Sequence, residues 1–148
     1  MNLNELIKPE SIVFLETVEM KDTVKMLVSK AAELQMINET EYFEEAILSR
    51  EELVSTGIGL GISIPHAKMK NIDEFFIILG ICKNGLDWDS VDRKPVRAVF
   101  MIGGPEEEKK EYLRIMSKLI LIMKNEDRRN KLFLSGSKEE AANIFKEF

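Results

Sequence analysis

The sequence predicts an α/β fold in which a mixed β-sheet is covered by helices on both faces. Amphipathic helical segments interleave with short apolar runs, the order that buries a sheet between helix layers. Phe75 to Cys82 is a continuous apolar run, the pattern of a strand buried on both faces, and Val96 to Ile102 reads as another buried strand. The turn-rich stretch between them, which includes Gly85-Leu86-Asp87-Trp88, contains no helix and so suits an antiparallel pair better than a parallel crossover.

Taken in order, Leu3 to Ile7 reads as a helical turn stopped by Pro9, and Ile12 to Leu15 as a short strand. A helix follows with Asp22 as N-cap, its buried face formed by Val24, Leu27, Val28, Ala31 and Leu34. Asn38 with Glu41 resembles a capping box for a second helix, whose stripe runs through Phe43, Ala46 and Ile47 to Arg50. Beyond the second apolar run, Pro105 suits the first position of a helix with Glu106, Glu107 and Glu108 in its first turn. That helix runs to about Lys124, its inward stripe formed by Tyr112, Met116, Leu119 and Met123 and widened by Leu113 and Ile120. A short helix spans Glu126 to Leu134 before Gly136. Ser137 with Glu140 caps a last one that buries Ala141, Ile144, Phe145 and Phe148.

The 148 residues suit one domain, 1–148, with a substantial core. A net charge of −5 with no basic run argues against nucleic acid as a partner. Cys82 is the only cysteine, so no disulfide forms within the chain. The first residues lack the pattern of a signal peptide, and no apolar run is long enough to span a bilayer. The expectation is a cytoplasmic protein with no direct membrane insertion.

The stretch Ser55-Thr56-Gly57-Ile58-Gly59-Leu60-Gly61-Ile62-Ser63-Ile64-Pro65-His66 ends in the only histidine of the chain. Its glycines permit close backbone approach, and Pro65 fixes φ just before His66, which suits a strand end. A single histidine and a single cysteine do not make a zinc site, so no metal or cofactor is expected. A Ser-His-Asp hydrolase lacks its G-x-S-x-G elbow, and neither nucleotide-binding glycine motif is present. An inward Arg50 needs a partner. It can reach solvent along its stem or pair with Glu51, Glu52 or another carboxylate. Its position just before two hydroxyls and a glycine turn also suits an anion such as phosphate.

Arg50-Glu51, Ser55-Thr56-Gly57-Ile58-Gly59 and Gly61-Ile62-Ser63-Ile64-Pro65-His66 together resemble the enzyme IIA domain of the bacterial phosphotransferase system, mannitol/fructose type, a signature shared by the nitrogen-regulatory IIA proteins. Gly85-Leu86-Asp87-Trp88, Asp92, Pro95-Val96 and the helix after Pro105 follow in the family's order, so the resemblance covers nearly the whole chain. It implies a three-layer α/β sandwich and a histidine, here His66, phosphorylated by the phosphocarrier protein HPr. The phosphoryl group then passes to a cysteine of a IIB domain. Alternatively, phosphorylation regulates binding to a transporter, kinase or transcription regulator. By the same resemblance Arg50 holds the phosphoryl oxygens, and Ser55, Thr56 and the amide of Gly57 supply further donors; for both hydroxyls a turn or helix-end hydrogen bond is an equal alternative. A docking patch around His66 would have Met69, Lys68 and Lys70 at its rim. Many members carry a second histidine, in a His-Leu pair, where this chain has Tyr112-Leu113. Tyr112 then either donates to the phosphoryl group or to His66, or packs in the core with a solvated hydroxyl.

Overall fold

A computed structural model describes residues 2–17 and 19–148. Its helices are α1 (Leu3–Leu6), α2 (Met20–Glu33), α3 (Thr40–Leu53), α4 (Lys109–Met123), α5 (Glu126–Phe133) and α6 (Lys138–Asn143). Its strands are β1 (Ile12–Phe14), β2 (Gly57–Gly59), β3 (Ile62–Ser63), β4 (His66–Met69), β5 (Phe76–Leu86) and β6 (Val96–Pro105). The strands form one mixed sheet in the order β1-β5-β6-β3-β2, with β4 also on β6. The central strands β5 and β6 pair antiparallel, as their helix-free connection predicts, whereas β1, β3 and β4 pair parallel to their neighbours on β5 or β6.

Period-two alternation along the strands divides the core. Ile62, Ile64, Ile77, Leu79, Phe100 and Ile102 face one layer with α1, α4, α5 and α6. Ala67, Met69, Ile78, Val99 and Met101 face the other, with α2 and α3. The sandwich therefore has the three layers expected, and no helix among the described residues is long and apolar enough to cross a membrane.

Strands β3 and β4 are two parts of one line along β6. Ile62 lies opposite Ala98 and His66 opposite Ile102, so the register is unchanged across the interruption at Ile64-Pro65. The carbonyl of Pro65 still accepts from Ile102 N–H at 2.9 Å. Upstream, β2 and β3 form a hairpin whose turn places Gly59, Leu60 and Gly61 at φ of 91°, 61° and 77°. Glycine adopts this left-handed backbone without strain, which explains the glycines flanking Leu60.

Several boundaries differ from the sequence reading. α2 begins at Met20, so Asp22 is not its N-cap but an acidic residue in its first turn, and α3 begins at Thr40 rather than after Asn38. Pro105 does not open α4. It ends β6, opposite Met69, because pairing with β4 carries the strand that far; α4 starts at Lys109. The inward stripe of α4 is Tyr112, Ile115, Leu119, Ile122 and Met123, leaving Leu113 exposed. Gly103 has a packing reason: a Cβ there would lie 2.3 Å from Cζ of Phe76, so a bare backbone lets that ring lie across β6.

Candidate active site

His66 opens β4 and is buried, with 8% of its surface exposed. Its even-numbered position places it with Ile62 and Ile64 on the α4 face of the sheet, where its ring lies 4.8 Å from that of Tyr112, centroid to centroid. Nδ1 is 2.9 Å from the carbonyl oxygen of Ile64. A carbonyl only accepts, so Nδ1 carries the proton and the neutral ring keeps its lone pair on Nε2.

The surroundings favour that neutral form. Burial lowers the imidazole pKa from its ordinary value, the bond to Ile64 opposes the shift, and the positive charges of Arg50 and Lys68 add to it. The unfolded chain therefore binds this proton before the folded chain as pH falls. His66 accordingly costs folding stability as pH drops through about 6.5, until the folded pKa is passed. We expect the difference in urea midpoint between wild type and His66→Gln to shift against the wild type between pH 8 and pH 5.5. Parallel pH profiles would contradict a buried neutral imidazole.

Arg50 stands in the last turn of α3 and is half-buried. Its Nη1 donates to the carbonyl of Val54 at 3.0 Å, and among the described residues no carboxylate pairs with it. Its charge reaches both His66 and Tyr112, lowering the pKa of each. A guanidinium without a carboxylate partner among the described residues, whose charge is felt at a neutral imidazole, makes this end of the site electropositive and suited to an anion.

The stripe of α3 continues not at Arg50 but at Glu51, four residues after Ile47, and Glu51 is buried. Its Oε2 accepts from the amide of Thr56 at 3.1 Å and from Nε1 of Trp88 at 3.2 Å, while Oε1 accepts from the Thr56 hydroxyl. The Ser55 hydroxyl donates to the carbonyl of Trp88 at 3.3 Å and accepts from the amide of Gly57 at 3.1 Å. The side-chain and amide hydrogens proposed as phosphate donors in Ser55, Thr56 and Gly57 thus already have acceptors within the chain. They lock the exit of α3 to the loop carrying Trp88. Met69 is 6% exposed and packs toward α2 and α3, so it belongs to the core and not to a rim; Lys70 is exposed.

Tyr112, in the opening turn of α4, is 6% exposed. Its hydroxyl is buried and has no hydrogen-bond partner among the described residues, and burial raises its pKa far above the ordinary tyrosine value, so it stays protonated. The ammonium of Lys68 lies 5.3 Å from the centre of its ring. The sequence brings His66, Arg50 and Tyr112 forward, but offers Glu51 only as a partner for Arg50 and Trp88 only within a turn-rich motif, not the bond that joins them. The available signal was the four-residue step from Phe43 to Ile47 to Glu51, which puts a carboxylate at an inward position.

Comparison with known proteins adds independent information. Residues 5–148 match the family model for the phosphoenolpyruvate-dependent sugar phosphotransferase system, EIIA 2. A fructose-specific EIIABC component of the phosphotransferase system from Bacillus subtilis is 32% identical over 97% of this chain, which spans 23% of that protein's length. A nitrogen regulatory protein of Bradyrhizobium diazoefficiens is 32% identical over 89% of the chain and 86% of its own length. The crystal structure of nitrogen regulatory protein IIA-Ntr from Neisseria meningitidis superposes with a TM-score of 0.90 at 25% identity, covering 97% of this chain and 98% of that one.

Proposed function

This chain belongs to the phosphoenolpyruvate-dependent sugar phosphotransferase system EIIA 2 family, and from that premise we propose that it carries a phosphoryl group on His66, taken from phosphorylated HPr and passed to the cysteine of a sugar-specific IIB domain. The family has sugar-specific and nitrogen-regulatory members, and an EIIA domain is a phosphotransferase component. The observation that carries the reading is the pairing of a buried neutral imidazole, its Nδ1–H held by Ile64, with an Arg50 that has no carboxylate partner among the described residues.

In the accepting step the Nε2 lone pair forms a bond to phosphorus as the bond from phosphorus to its donor breaks. The proton on Nδ1 stays with the ring, held by Ile64, and takes the share of positive charge that the new bond creates. Phosphoryl transfer depends on positioning and on stabilising charge spread over the phosphoryl oxygens, which is the work assigned to Arg50. In the donating step a thiolate sulfur bonds to phosphorus, the Nε2–P bond breaks, and the lone pair returns to Nε2. Ser55, Thr56 and Gly57 support this at one remove, by fixing the turn that follows Arg50. Exposed Leu53, Val54 and Leu113 flank Arg50 and Tyr112 in sequence and offer apolar surface for the docking protein.

Arg50→Lys tests the guanidinium. It keeps the charge and loses the planar fork, so transfer from phosphorylated HPr is expected to slow about tenfold or more while the unfolding midpoint stays within experimental scatter. Transfer at the wild-type rate would return Arg50 to a structural role. A regulatory function is the second reading, favoured by the similarity to nitrogen regulatory proteins over most of both chains. It predicts that phosphorylation changes affinity for a transporter, kinase or transcription regulator by altering charge at His66. Transfer from phosphorylated His66 to purified IIB domains separates the two readings.

A further inference from the structure

We propose that Tyr112 is a second phosphoryl-binding group of this site, its hydroxyl donating to an oxygen of the phosphoryl group carried by His66; the proposal rests on His66 being the carrier. Buried hydroxyls almost always have a partner, and one left without costs stability. The hydroxyl of Tyr112 is buried and has none among the described residues, although a phenylalanine would fill the same apolar stripe. Its ring is against the imidazole, 4.8 Å between centroids. The charge of Arg50 acts on both groups, and the ammonium of Lys68, on the same face of β4 as His66, lies over the tyrosine ring. The phenol ring of α4 thus lies against the imidazole with the Lys68 ammonium of β4 over it, and the charge of Arg50 from α3 is felt at both rings. The phenol lacks only an acceptor, and a phosphoryl oxygen is one. The proton stays on the phenol throughout, so the contact is a hydrogen bond to a charged acceptor and requires no further reactant.

Tyr112→Phe distinguishes this role from packing by the sign of its effect. Phosphoramidate loads the protein without a protein donor: Nε2 bonds to phosphorus as the phosphorus–nitrogen bond of the reagent breaks and ammonia leaves. Urea unfolding of wild type and Tyr112→Phe is then compared, unloaded and loaded, at pH 8. Unloaded, the variant is expected to be as stable as wild type or more so, because an unpartnered hydroxyl has been removed. Loaded, its folding equilibrium is expected to fall about tenfold or more below that of loaded wild type. An equal shift of the loaded and unloaded forms overturns the proposal. Failure of the wild type to take phosphate on His66, seen as unchanged labelling in His66→Ala, refutes the carrier reading and this inference with it.

Discussion

A His66→Ala chain incubated with phosphorylated HPr is expected to take up no phosphate, whereas the wild type acquires a label that acid removes and base leaves in place. The loss should be complete rather than partial. The chain has no second histidine, and its one cysteine, Cys82, is buried on β5 with its thiol donating to the carbonyl of Thr17 at 3.4 Å. Burial also raises the pKa of that thiol, which disfavours the nucleophilic thiolate. Removing the imidazole leaves a void beside Tyr112, so His66→Gln serves as the fuller-sized companion and is expected to be equally unlabelled. Persistent label in either variant would sink the assignment. A label lost in base as well as in acid would indicate an acyl phosphate on a carboxylate instead, and one stable in acid but lost in base a phosphate ester on a hydroxyl.

The second large effect is on stability. Glu51→Leu is expected to cost about 3 kcal/mol or more, because it removes the shared acceptor of the Thr56 amide, the Thr56 hydroxyl and Trp88 Nε1 and strands all three inside the protein. Domains of this kind are stable by only about 5–15 kcal/mol in total, so the variant would lose a large share of its folded margin. Glu51→Gln retains one carbonyl oxygen, able to keep the Thr56 amide and Trp88 bonds, and should cost less. Trp88, the only tryptophan, reports both urea midpoints by fluorescence. Equal midpoints for wild type and Glu51→Leu would mean that α3 is not held to its neighbours by this carboxylate.

These two residues also mark what the sequence makes legible. The layers follow from helical periodicity, strong in the long α2 and α4, and from the apolar stretches of β5 and β6, which mark strands buried on both faces. The hairpin of β2 and β3 has three and two residues, and its glycines carry no side-chain pattern, so it reads only as a turn. Where a partner distant in sequence decides, local signals fail: pairing with β4 extends β6 through Pro105, against that residue's fitness to open a helix. His66 stands out by being unique and by the motif it completes. The partners of Glu51 do not, since Trp88 comes from a loop 37 residues further on and only the fold brings it there. Tyr112 is legible as an inward residue of α4, but that its hydroxyl finds no partner among the described residues is a property of the assembled core.

The unbroken register from β3 to β4 gives the position of His66 a parity. A strand presents alternate residues to opposite layers, and Ile62, Ile64 and His66 share one side while Ala67 and Met69 share the other. Adding or deleting one residue between Gly61 and His66, with β4 still paired to β6, would keep the sheet and exchange its faces downstream. The imidazole would then lie under α2 and α3, away from Tyr112. Chain length in this short segment is therefore itself a constraint on function, independent of which residues fill it.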